Sequence, residues 1–66
     1  MYNNRIKYYR KQQKMSLVDM ANKVGITPGY LCHLEKGTRN NPSIEVMDKI
    51  CKVLNQNVMD VFFQNK

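Results

Sequence analysis

The sequence contains no tryptophan, and only three glycines, two prolines, two cysteines and one histidine among 66 residues. A membrane span needs roughly 20 consecutive apolar residues, and no run of that kind is present. Met1 to Lys14 is polar and basic, with no apolar stretch behind it, which excludes a secretory signal. Cys32 and Cys51 are too few for a disulfide framework and follow neither a CxxC nor a Cys/His ligand spacing. They are expected as small apolar side chains in a reducing compartment, with no metal and no cofactor. The chain is therefore expected to be cytoplasmic. Its length suits a single domain over residues 1–66. A domain of this size buries only about 60% of the surface its unfolded chain exposes. That leaves no deep catalytic cleft and no evident small-molecule pocket.

Acidic residues are also scarce: five Asp and Glu face eleven Lys and Arg, for a net charge of +6. Met1 to Arg39 carries eight cations (Arg5, Lys7, Arg10, Lys11, Lys14, Lys23, Lys36 and Arg39) against two acids, Asp19 and Glu35. From Asn40 onward, Lys49, Lys52 and Lys66 balance Glu45, Asp48 and Asp60. An excess confined to one part of the chain is the footprint of a polyanionic partner. The plainer reading is a basic surface that serves solubility.

Strand signals are nearly absent, and helix signals recur. Helix one is expected from Asn4 to Gln13, with Ile6, Tyr9 and Gln13 on one face and Lys7, Lys11 and Lys14 on the other. Ser16 is a good N-cap for helix two, and Asp19 three positions on favours the positive helix end. Met20, Ala21 and Val24 form its inward stripe, and Gly25 supplies a left-handed stop. Thr27 caps helix three with Pro28 at its first position. Leu31 and Leu34 face inward, and Gly37 ends the helix. Thr38 to Pro42 is rich in turn formers. Ser43 caps helix four, whose Ile44, Met47, Ile50, Cys51 and Leu54 repeat at the spacing of one buried face. Asn57 caps a last short helix that Val58, Val61 and Phe62 pack down. The expected fold is all-α, with five short helices.

Ser16 to Gly37 carries the functional signal. Two helices that cross steeply through a short turn need a small residue where they meet and a glycine in the turn. Ala21 and Gly25 meet those needs. Ile26, Leu31 and Leu34 anchor the second helix from beneath, which leaves its other face open to a major groove. This is a helix-turn-helix, with helix two at about 16–24 and the recognition helix at about 27–36. An ordinary helical hairpin fits the apolar spacing but not the charge asymmetry.

From Arg5 to Phe63 the chain resembles the phage repressor/Cro-like (Xre-type) family of helix-turn-helix regulators. The residues that carry the likeness are the basic first helix, Met15-Ser16, Ala21, Gly25, Leu31, Leu34-Glu35, Gly37, Asn41-Pro42-Ser43 and Val61-Phe62. The resemblance implies a compact five-helix, lambda-repressor-like domain. It implies sequence-specific binding of double-stranded DNA by a transcriptional regulator, a repressor, acting as a homodimer on palindromic operators. It places Thr27, Pro28, Gly29, Cys32 and His33 toward base edges or flanking phosphates, and Lys36, Thr38 and Arg39 at phosphate oxygens. It pairs Arg10 with Glu35 to tie helix one to the end of helix three. Leu17 and Pro28 depart from the pattern, because many members carry glutamine at the first and glutamine or arginine at the second. Neither leucine nor proline offers a side-chain donor, so readout leans on His33, Thr27, Tyr30 and duplex shape.

Val58, Met59 and Phe63 exceed what so small a core needs. They are read as a dimer patch rather than simple capping of the core. Cys32 beside His33 does not form a catalytic dyad, because neighbouring helix residues point about 100° apart; no enzyme activity is expected. A redox role for Cys32 is a minor alternative. The competing function is a small interaction module that binds a protein partner, as an antitoxin or anti-repressor domain does. Attachment of the basic first helix to a membrane surface is weaker still, because well-capped, glycine-punctuated helices follow it.

Overall fold

A computed structural model describes residues 4–37 and 42–63. Five helices run in order: α1 (Ile6–Gln12), α2 (Leu17–Val24), α3 (Pro28–Lys36), α4 (Ile44–Leu54) and α5 (Val58–Phe62). No strand occurs among the described residues.

Local chemistry sets most boundaries. Ser16, Thr27, Ser43 and Asn57 each stand ahead of a helix with extended backbone, and each side-chain oxygen accepts the N–H three residues on. Those four bonds measure 2.9–3.1 Å and satisfy donors that the first helical turn leaves orphaned. Gly25 (φ 89°) and Gly37 (φ 76°) adopt the left-handed conformation that ends α2 and α3.

Helix one begins later than the sequence suggests. Asn4 lies ahead of α1, and its Oδ1 accepts the Ile6 N–H at 3.0 Å. Two further stops do without glycine: Lys14 (φ 59°) after α1 and Asn55 (φ 57°) after α4. Behind each, a 6→1 bond closes the helix end, from the Met15 N–H to the Arg10 carbonyl and from the Gln56 N–H to the Cys51 carbonyl.

The core draws on every helix: Ile6 from α1, Met20, Ala21 and Val24 from α2, Leu31 and Leu34 from α3, Ile50, Cys51 and Leu54 from α4, and Val61 and Phe62 from α5. Full burial of each large aliphatic side chain is worth about 1.5–3 kcal/mol. Ile44 breaks the expected stripe, being 80% exposed. It is the first residue of α4, and side chains on a helix lean toward its N-terminus. Ile44 therefore projects past the start of the helix, and the buried face begins one turn later. Gln13 belongs to the α1–α4 packing through its amide, which donates to the Leu54 carbonyl. Cys51 is enclosed, and burial first, then the charge of Asp48, pushes its thiol above the ordinary value. No helix of the described residues is long and apolar enough to cross a membrane.

Candidate nucleic-acid interface

Helix α3 is two-faced. Leu31 and Leu34 are fully buried. At about 100° per residue, Gly29, Cys32, His33 and Lys36 fall on the opposite side. Gly29, His33 and Lys36 are exposed and Cys32 is half-buried. Thr27, also exposed, precedes them as the cap, and half-buried Pro28 takes the first helical position. Tyr30 lies on the flank and packs partly against the core. The outer side of α3 is thus not covered by the other described residues. Thr38 and Arg39 lie outside the described residues.

Helix α2 supports this arrangement from behind. Ala21 is fully buried, and α2 packs against α3 across the Gly25 turn. The Ile26 N–H returns to the Ala21 carbonyl at 3.0 Å, so the turn is closed by main-chain bonds. A Cβ at Gly25 would meet nothing within 4 Å, so glycine is needed there for its positive φ and not for space. Leu17, the first residue of α2, is half-buried and packs against the core.

The far end of α3 is held by ions. Arg10 Nε donates to Glu35 Oε2 at 2.7 Å and Nη2 to Oε1 at 3.1 Å, a two-pronged pair. Arg10 Nη1 also donates to the Met15 carbonyl at 3.0 Å. The two side chains are only 10% and 6% exposed, so the pair is a buried tie between α1, the α1–α2 turn and α3. Asn4 reaches the same end of α3 through its Nδ2, which donates to the Leu34 carbonyl. Sequence patterning missed this contact. The available signal was an asparagine just ahead of a helix, which marks a cap rather than a helical position.

Met59 on α5 and Phe63 just past its end are 65% and 52% exposed, while Val58 is half-buried against the core. The two exposed side chains lie four residues apart, on one side of the short helix. Arg5, Lys7, Lys11 and Lys14 are all exposed along α1 and its ends, with Arg5 stacked over the Tyr8 ring at 5.5 Å. Among the described residues, no group of His, Cys, Asp and Glu is placed to hold a metal ion.

A helix-turn-helix family model matches residues 6–59. The HTH-type transcriptional regulator SinR of Bacillus subtilis is 40% identical over 58 residues, which cover 88% of this chain and 52% of SinR. This chain therefore spans about half the length of that curated relative. A crystal structure of SinR, the master regulator for biofilm formation, in complex with DNA matches with a TM-score of 0.77 at 41% identity, over 82% of this chain and 86% of that one. A SinR–SinI protein complex matches with a TM-score of 0.78 at 40% identity, over 83% of this chain and 53% of that one. The two-faced α3, the Gly25 turn and these likenesses agree: the chain belongs to the Cro/C1-type (Xre) helix-turn-helix family of transcriptional regulators.

Proposed function

We propose that this chain binds double-stranded DNA in a sequence-specific way, as a two-fold dimer on a palindromic operator, and represses transcription there. The observation that carries the reading is the outer side of α3, exposed at Thr27, Gly29, His33 and Lys36 and braced from beneath by fully buried Leu31 and Leu34. Thr27, Pro28, Gly29, Cys32 and His33 face the base edges. Lys36, Thr38 and Arg39 meet phosphate oxygens, and the excess of cations over residues 1–39 favours the polyanion. Pro28 and Gly29 offer no side-chain donor, so base discrimination falls on His33 and Thr27 together with duplex shape. A related protein, SinR, solved in complex with DNA, supports the duplex reading.

The principal extents of the domain are 27 × 20 × 19 Å. Successive major grooves on one side of a duplex lie about 34 Å apart. One copy therefore reaches one groove, and a second copy is needed for the next half-site. Met59 and Phe63, with Val58 beneath them, form the apolar surface on which two copies join.

The test is a selection for bound sequences from random duplex, followed by a salt titration of the selected site. A palindromic preference is expected, and Lys36→Ala should reduce the magnitude of the salt slope by about one unit. Equal affinity for selected and random duplex at low salt would remove the reading. The second reading is a module that binds a protein partner, and the SinR–SinI complex of a relative favours it. It predicts no duplex binding at low salt.

A further inference from the structure

Asn4 stands away from the outward side of α3, yet both ends of its amide are engaged. Its Oδ1 caps α1 at the Ile6 N–H, 3.0 Å away, and its Nδ2 donates to the Leu34 carbonyl at 2.7 Å, thirty positions along the chain. That carbonyl is among the last four of α3, which lack a partner in a following turn. The Gly37 N–H also reaches it, at 3.2 Å, the long end of the range for such bonds. Asn4 supplies the shorter contact. The next residue, Glu35, is held by Arg10. Consecutive residues in the last turn of α3 are thus tied to the start of the chain, one through the main chain and one through a side chain. On its other side, the Arg5 N–H donates to the Val61 carbonyl of α5 at 2.8 Å. Asn4 and Arg5 together therefore bridge the end of α3, through the Asn4 side chain, to the end of α5, through the Arg5 main chain.

We infer that Asn4 is a positioning residue for duplex recognition. It sets where α3 ends relative to α5, and so the pose in which His33 and Lys36 are presented and the angle between the two α3 helices of a dimer joined through α5. The inference rests on the proposed duplex reading. Asparagine is suited to the task because a carboxamide accepts and donates at once. Aspartate and serine keep the acceptor and rank with asparagine at helix starts. Aspartate has no donor, and the serine hydroxyl is too short to span to Leu34 while it caps Ile6. Asn4→Ser therefore spares α1 and breaks the tie to α3, and Asn4→Asp breaks it with an added repulsion between its carboxylate and the Leu34 carbonyl at the negative end of α3.

The experiment uses the full chain as wild type, Asn4→Ser and Asn4→Asp. Three quantities are measured: the thermal midpoint, the affinity for the duplex that the wild type selects relative to random duplex, and hydrogen exchange at the Gly37 amide. The ratio of selected to random affinity is expected to fall about three- to tenfold in both variants, within the range by which residues that do not touch a ligand alter its recognition. The thermal midpoint should fall by about 4–8 °C, the loss of one net hydrogen bond from a domain of this size, and Gly37, whose amide closes the same turn of α3, should exchange faster. A change of ratio below about twofold in both variants overturns the inference, since it is less than a residue that positions a binding helix produces. So does an equal loss on both duplexes with a lowered midpoint, which is what a merely structural residue gives. A wild type without any duplex preference refutes the duplex reading instead. The inference then falls with the reading it rests on, whatever Gly37 shows.

Discussion

Removing Arg10 should cost this domain most of its stability. The guanidinium makes two bonds to Glu35, at 2.7 and 3.1 Å, and one to the Met15 carbonyl at 3.0 Å. Arg10→Ala leaves a carboxylate only 6% exposed without its counter-charge. Breaking a buried pair from one side costs about 3–5 kcal/mol, chiefly because the remaining ion is stranded. At roughly 0.05–0.15 kcal/mol per residue, a chain of 66 residues has about 3–10 kcal/mol in all. In urea a small domain loses about 1 kcal/mol per molar, so the midpoint followed by circular dichroism should fall by roughly 3 M, or the variant should be unfolded already. Asp48 and Lys52 provide the internal control. Their ion pair is 57% and 78% exposed, and Lys52→Ala should cost at most about 0.5 kcal/mol. Arg10→Met combined with Glu35→Leu removes both charges and should lie within about 1 kcal/mol of wild type or above it. An Arg10→Ala loss no larger than that of Lys52→Ala would refute the argument, because the pair would then behave as solvated surface charge.

Gly29→Ala places a methyl group where nothing lies within 4 Å. It should stabilise the helix by about 0.5–1 kcal/mol while weakening binding to the selected duplex; unaltered binding in a mobility-shift titration would free Gly29 of any close approach to bases. Lys14 holds a left-handed backbone at φ 59°. Relief of that strain, worth about 1–2 kcal/mol, outweighs the added freedom of an unfolded glycine, about 0.5–1 kcal/mol, so Lys14→Gly should raise the unfolding midpoint by roughly 0.5 kcal/mol equivalent. The Cys51 thiol is raised above 9.0 by burial and by Asp48, so the folded state holds its proton more tightly than the unfolded chain. Its contribution is constant at neutral pH and stability falls as pH rises through the alkaline range, a slope that Cys51→Ala should lose. At neutral pH iodoacetamide should label half-buried Cys32 before Cys51, and equal labelling rates in the native protein would contradict the enclosure of Cys51.

Elements that depend on near neighbours in the chain are legible in the sequence. Ser16, Thr27, Ser43 and Asn57 each bond an amide three residues away, and nothing distant alters that geometry. The inward spacing of Leu31 and Leu34 likewise implies which side of α3 remains outward. Ile44 shows the limit of periodicity. Its spacing fits the buried stripe, but a helix's first side chain has no neighbouring helix behind it. The pairing of Arg10 with Glu35, 25 positions apart, follows from family resemblance and not from any local pattern.

The residue order by itself determined the five helices, their caps, the glycine stops of α2 and α3 and the concentration of cations ahead of residue 40, because each depends on interactions within about one helical turn or on composition. Tertiary structure alone decided the tie from Asn4 to Leu34, the bond from Gln13 to Leu54 and the exposure of Ile44. Each of these depends on where segments distant in the chain come to rest, which no pattern within one helical turn records.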